Sequence, residues 1–205
     1  LPTSVGEDLT LDNEVLVTFG NFTYENVILT NGSVIYIEAY NGTVGTGELH
    51  LHADYISIDD TSSINGDGNG SRGGEGEGAG TYGGSQGGGG GAYGGNGGRS
   101  GQYTIPGGLA FGTADGEDIS MGSGGGKAQG TSGGKGGAML KIVDTDIEIH
   151  GGITLAGTNG QNKNNAEQYD YQHSQRDANR FLAEPRRLLP QRSGRPMTRT
   201  MYRAD

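Results

Sequence analysis

Glycine limits what this chain can fold into more than any other residue, because 44 of its 205 residues are Gly and most of them fall in two runs. More than half of positions 66–101 are Gly, and a second rich stretch spans 122–137. A flexible linker is the simplest outcome for such a composition. The spacing argues for something more regular. Gly recurs every third residue in Gly70-Gly73-Gly76 and Gly88-Gly91-Gly94-Gly97, and Thr81-Tyr82-Gly83-Gly84 is echoed by Ala92-Tyr93-Gly94-Gly95. Three residues per turn is the period of the polyproline II helix, which has no internal hydrogen bonds. With Gly inward, such helices pack side by side and bond laterally through their backbones. Collagen is excluded, since the period is not strict and neither run contains Pro. Packed polyglycine-type helices are the expectation, irregular Gly loops the alternative.

The segments around these runs read as β. Val15-Leu16-Val17, Val27-Ile28-Leu29 and Val34-Ile35-Tyr36-Ile37 are short β-branched or aromatic stretches, separated by turn signals such as Asn31-Gly32 and Asn41-Gly42. Leu49/Leu51 and Ile56/Ile58 alternate with His50/His52 and Ser57, the period of a strand with one buried face. A shift of about ninety-one residues lays Leu49, Leu51, Ile56, Ile58, Ile64 and Gly66 on Leu140, Ile142, Ile147, Ile149, Leu155 and Gly157. Residues 48–66 and 139–157 therefore read as two copies of one unit. The expected fold is all-β: a solenoid-like or sandwich body of short strands, packed polyglycine-type helices and an extended C-terminal arm. The organisation is a strand region at 1–65, a Gly-rich region at 66–160 containing a second β unit at 138–157, and an arm at 161–205.

The Gly-rich runs, with phrases such as Gly91-Ala-Tyr-Gly-Gly-Asn-Gly-Gly98 flanking strands that end in Ile64-Asn-Gly or Leu155-Ala-Gly, resemble the glycine-rich repeat regions of large secreted surface proteins. They are also similar to the glycine-rich extracellular domain of anaplastic-lymphoma-kinase-type receptors and to polyglycine-helix adhesins of phage tail fibres. The resemblance covers about residues 48–160. It implies an extracellular address and polyglycine packing, and carries over no site residue. The receptor domain bears Cys where this chain has none.

Leu, Ile, Val and Phe make up roughly 18% of the chain, below the ~20% at which a charged sequence is expected to be disordered. Order must then draw on dense backbone hydrogen bonding, on neighbouring subunits, or on both. The formal charge of −10 repels nucleic acid and anionic membrane. No apolar run approaches the ~18 residues that span a bilayer, so no membrane insertion is expected. A start at Leu1 suits a chain that has lost a signal peptide, though a cloned fragment would look the same. Absence of Cys excludes disulfides and thiolate zinc sites.

Asn21, Asn31, Asn41 and Asn69 each open an N-x-Ser/Thr acceptor, which implies N-linked glycans and secretion to the extracellular space or cell surface. After Gln161 the composition changes: nine Lys and Arg face five carboxylates, so the arm carries +4 and the rest of the chain −14. Asp177–Ala183 fits two helical turns ended by Pro185. Alone, the arm is expected to be disordered. An acidic neighbouring subunit is the surface it would lie on, with Phe181, Leu182, Leu188 and Leu189 as apolar anchors and Arg186 and Arg187 supplying register.

Other chemistry is discounted. Gly68–Gly73 and Gly78–Gly83 match the dinucleotide-binding Gly spacing, but no apolar helix follows. Gly126-Lys127 is followed by Ala128, without the hydroxyl a P-loop uses. Asp67–Ser71 alternates oxygen ligands as calcium loops do, yet Arg72 stands where an EF-hand needs Gly. His50 and His52 share a strand face without an obvious third ligand. No cofactor and no catalytic cluster is expected. The function that follows is a structural subunit of an extracellular filament, flagellar hair, sheath or matrix, a head-to-tail homopolymer of copies of itself; the alternative is a non-enzymatic adhesin or receptor-ectodomain module. An ice-binding surface would need a flat Thr array, which the chain lacks.

Overall fold

The computed structural model describes residues 6–100, 105–113 and 119–161. Phe181, Leu182, Arg186, Arg187, Leu188 and Leu189 therefore lie outside the described residues, as does nearly all of the proposed arm. The elements are β1 (Leu9–Asp12), β2 (Val15–Thr18), β3 (Gly20–Thr23), β4 (Asn26–Thr30), β5 (Val34–Ile37), β6 (Glu48–Ile58), β7 (Ser63–Asn65), β8 (Met139–Ile149) and β9 (Gly152–Thr154). No helix occurs among the described residues, and the fold is all-β.

Every strand pairing is parallel. One sheet runs β1, β4, β6, β8, with β3 sharing the β4 edge of β6; the other runs β2, β5, β7, β9. The chain passes from the first sheet to the second and back in successive coils, each strand lying on the one a coil earlier. Asn31-Gly32 thus forms a corner between sheets rather than a hairpin. Both residues take positive φ (56° and 81°), and Asn13 repeats the corner one coil earlier with φ 56°. Asn tolerates this left-handed geometry better than other side-chain-bearing residues. The corners stack through buried serines: Glu14 N–H donates to Ser33 Oγ (3.2 Å) and Ser33 N–H to Ser62 Oγ (3.1 Å).

Alternation places one aliphatic column above another. Val27, Ile56 and Ile147 are neighbours across three strands, as are Leu29, Ile58 and Ile149. Ile56, Ile58, Ile35, Ile64 and Leu49 are fully buried, each burial being worth about 1.5–3 kcal/mol. The alternation breaks between Ala53 and Ile56. There the Asp54 and Tyr55 amides both donate to the Glu25 carbonyl, a bulge that bends the long strand and resets its inward face. So the body has a conventional apolar core, contrary to the expectation from composition.

The ninety-one-residue repeat is the register of β6 on β8: Leu49 pairs Leu140, Leu51 pairs Ile142, Ile56 pairs Ile147 and Ile58 pairs Ile149. The last two correspondences slip. Ile64 pairs Ile153 rather than Leu155, because the corner at His150-Gly151 is two residues shorter than the one at Asp59–Ser62. A Cβ at Gly151 would meet the Ser62 and Asp59 carbonyl oxygens.

Between β7 and β8 the chain leaves the coil and packs as a bundle of extended Gly-rich segments held by dense backbone hydrogen bonding, one of the two sources of order expected from composition. The central segment shows the threefold period directly. Gly122 and Gly125 donate to Gly137 and Gly134; Ser123 and Gly126 donate to Ala92 and Gly89; Gly124 donates to Glu75. Three directions in rotation, each toward a different neighbour, is what a three-residue helix without internal bonds requires. Gly88 and Gly91 present their Cα faces to the backbone at Gly126 and Ser123, where no side chain fits; at such close approach Cα–H···O contacts add to the lateral bonds. Gly94 departs from the expected pattern: it is exposed, has φ 65° and turns the chain at the end of its segment. The bundle is rooted on the coil by Gly66 N–H to Thr154 O (2.8 Å) and Ala138 N–H to Gly66 O (2.9 Å).

Candidate assembly surface and glycosylation sites

The two ends of the coil differ in how their apolar side chains are covered. At the first, β1, β2 and β3 each pair on one side only among the described residues, yet Leu9 and Leu11 are buried and Phe22 stacks on Tyr24 (6.1 Å between centroids). At the second, among the described residues, β8 pairs with β6 alone and β9 with β7 alone. This leaves an eleven-residue parallel edge. Ile142, Ile147, Ile149 and Ile153 top the aliphatic columns but are only partly buried, whereas Leu51, Ile56, Ile58 and Ile64 directly beneath are at most 1% exposed. An edge of unpaired amides and carbonyls beside half-covered isoleucines is a template for another chain. Among the described residues the repeat has two copies, and there the outer edge of the second copy meets no strand of its own kind.

The same end carries an incomplete polar site. Asp144 lies on β8 beside Ala53, its Oδ1 accepts the Asp146 N–H (2.8 Å), and its Oδ2 is buried without a hydrogen-bond partner among the described residues. Burial pushes this carboxyl up from its ordinary range, reinforced by the negative charges of Asp146 and Asp54 and opposed by the amides of Asp146 and Thr145. Neither Asp144 nor the isoleucine edge stood out as a site from the sequence, because both depend on where the stack ends.

The four sequons occupy different settings. Asn21 is exposed on β3. Asn41 is exposed on the loop after β5, its Oδ1 accepting the Thr43 N–H (2.9 Å). Asn31 is exposed at its corner, with Nδ2 donating to Asp12 Oδ1 (2.6 Å). Asn69 is half-buried and its Nδ2 donates to the Ile37 carbonyl (2.8 Å), joining bundle to body. A glycan on Asn69 would compete with that bond; one on Asn21 or Asn41 would extend into solvent.

The remaining motifs serve the fold. Asp67 Oδ1 accepts the Ala156 N–H (2.5 Å), so the calcium-like turn spends its first carboxylate on backbone. His50 and His52 stand on the outer face of β6, beside Asn21 and Thr23 on one flank and Lys141 and Val143 on the other. Burial, with Lys141 and His52 nearby, lowers the His50 pKa against the pull of Glu48. No group of three His, Cys, Asp or Glu positioned to hold a metal occurs among the described residues. Gly68–Gly73 and Gly78–Gly83 run in the extended bundle and not ahead of a helix. No helix among the described residues is long and apolar enough to cross a membrane. In comparisons with protein-family models, curated proteins and solved structures, nothing matches the chain.

Proposed function

We propose that this chain is a non-catalytic, secreted structural subunit that self-assembles head to tail into an extracellular filament, flagellar hair, sheath or matrix. One observation carries the reading: the coil ends in an eleven-residue strand whose outer edge and half-buried isoleucines have no cover among the described residues. Exclusive parallel pairing favours a solenoid body over a sandwich, whose sheets are antiparallel. A heterologous contact at one end that does not close propagates as a fibre. The bundle adds a stiff side element whose order comes from backbone bonds.

Leu109 and Tyr82, 78% and 61% exposed on the bundle, favour the second reading, an adhesin or receptor-ectodomain module that displays this region to a ligand. Sedimentation velocity and electron microscopy of the full chain at micromolar concentration separate the two. Polymers are expected. A stable monomer at all accessible concentrations overturns the filament.

A further inference from the structure

The open end of the coil has a definite chemical pattern. Along β8, inward aliphatics flank one underpartnered carboxylate in the order Ile142, Asp144, Ile149, with spacings of two and five residues. Val143 lies between the first two on the outer face and is 43% exposed. The C-terminal segment carries the complement in reverse: Leu182, Arg187, Leu189, spaced five and two, with Leu188 between the last two.

We propose that the C-terminal segment of one copy docks antiparallel along β8 of the next, with Leu189 on Ile142, Leu188 on Val143, Arg187 on Asp144 and Leu182 on Ile149. This deepens, and rests on, the self-assembly proposed above by naming the surface and its occupant. Paired strands bring such directly opposed side chains into contact. A guanidinium supplies the donor that Asp144 Oδ2 lacks, and a charge-assisted bond at a partly desolvated site is stronger than an exposed ion pair. Pro185, which has no N–H, falls opposite Asp146, whose own N–H is already given to Asp144 Oδ1, so this position adds no N–H to the ladder from either side. Glu184 opposite Ile147 is the one mismatch in this register. The tail brings +4 to a body of −14, which steers the encounter.

Reach is sufficient. Gln161 is held on the bundle by its N–H to the Ser132 carbonyl (2.9 Å). At about 3.3 Å per extended residue, the stretch from there to Arg187 spans up to roughly 85 Å, enough to leave its own subunit.

The chain contains no Cys, so introduced thiols are unique. One full-length preparation carries Val143→Cys and a second, differently tagged, carries Leu188→Cys. Oxidation of the mixture is expected to yield the 143–188 heterodimer at least tenfold over a pairing of Val143→Cys with Phe181→Cys, which this register places seven residues along the strand. Charge reversal supplies a second readout. Asp144→Lys should raise the concentration at which polymers form about tenfold, and adding Arg187→Glu to the same chain should restore it. Polymers whose threshold ignores both changes, with no preferred 143–188 link, overturn the docking register while leaving self-assembly standing. A full chain that never polymerises overturns self-assembly itself. A 143–188 link found only within single chains carrying both thiols overturns docking between copies.

Discussion

Gly91 and Ser123 lie in neighbouring segments of the bundle, and the Ser123 carbonyl oxygen occupies the space that a Cβ on Gly91 would need. Neither backbone can yield alone, since the next two residues, Ala92 and Gly124, are tied by N–H bonds to Gly78 and Glu75. Gly91→Val should cost about 1–3 kcal/mol, the usual range for forced overpacking. In a chain of this size that lowers Tm by roughly 2–12 °C. Ser85→Val, at an exposed site, should leave Tm nearly unchanged. Thermal melts followed by circular dichroism compare the two. Equal melting would mean that the Gly-rich run is a loose loop.

Ile56 and Ile147 are cross-strand neighbours with different cover. Ile56 is fully buried, so Ile56→Ala should destabilise by about 2–5 kcal/mol. Ile147, half-covered at the end of the stack, should cost about half as much in the monomer. Urea unfolding at low protein concentration reads both. If assembly covers the end of the coil, the Ile147→Ala penalty grows with concentration while that of Ile56→Ala stays constant.

Asp59 organises the corner between β6 and β7. Its carboxyl accepts the Thr61 N–H and hydroxyl and, across the coil, the Asn31 N–H (2.8 Å). Hydrogen bonding by Ser62, with help from Asn31 and Thr61, holds its pKa well below the ordinary 3.8. A carboxyl depressed in the folded state stabilises fully above its unfolded pKa, and that contribution fades as pH falls through the folded value. Asp59→Asn should therefore lower Tm at pH 7. The gap from wild type should narrow only below about pH 3.8. A gap independent of pH down to acid unfolding would show that the charge contributes nothing.

Glycosylation is tested by intact mass before and after enzymatic deglycosylation of natively sourced protein. At least two of Asn21, Asn31 and Asn41 should carry glycans, and Asn69 should not, because its Nδ2 holds the Ile37 carbonyl. An unchanged mass removes the sequon argument for secretion.

Much of the body was legible in the residues themselves. Leu49/Leu51/Ile56/Ile58 and Leu140/Ile142/Ile147/Ile149 alternate because each side chain must stand in a column with its counterpart, so contact across strands writes the same pattern twice. The three-residue glycine period was equally legible at Gly88 and Gly91, where a close-packed threefold helix tolerates no Cβ on its inward face. These are constraints between a residue and its local geometry, and local geometry repeats along the chain.

Only the tertiary structure decided which neighbours those patterns met. Asn31-Gly32 suits a hairpin and a corner equally, since both need positive φ; the parallel partners of β4 and β5, set by packing against strands 18 to 29 residues away, selected the corner. Gly94 carries the same three-residue spacing as Gly91 yet is exposed with positive φ, because the chain turns there while its N–H is given to the Phe111 carbonyl. By sequence Asp144 is an ordinary carboxylate in a polar stretch; its place on β8, which among the described residues pairs with β6 alone, is what sets it apart. Which strand edge is left uncovered among the described residues depends on how the strands stack, and that is a property of the assembled sheet and of no single residue in it.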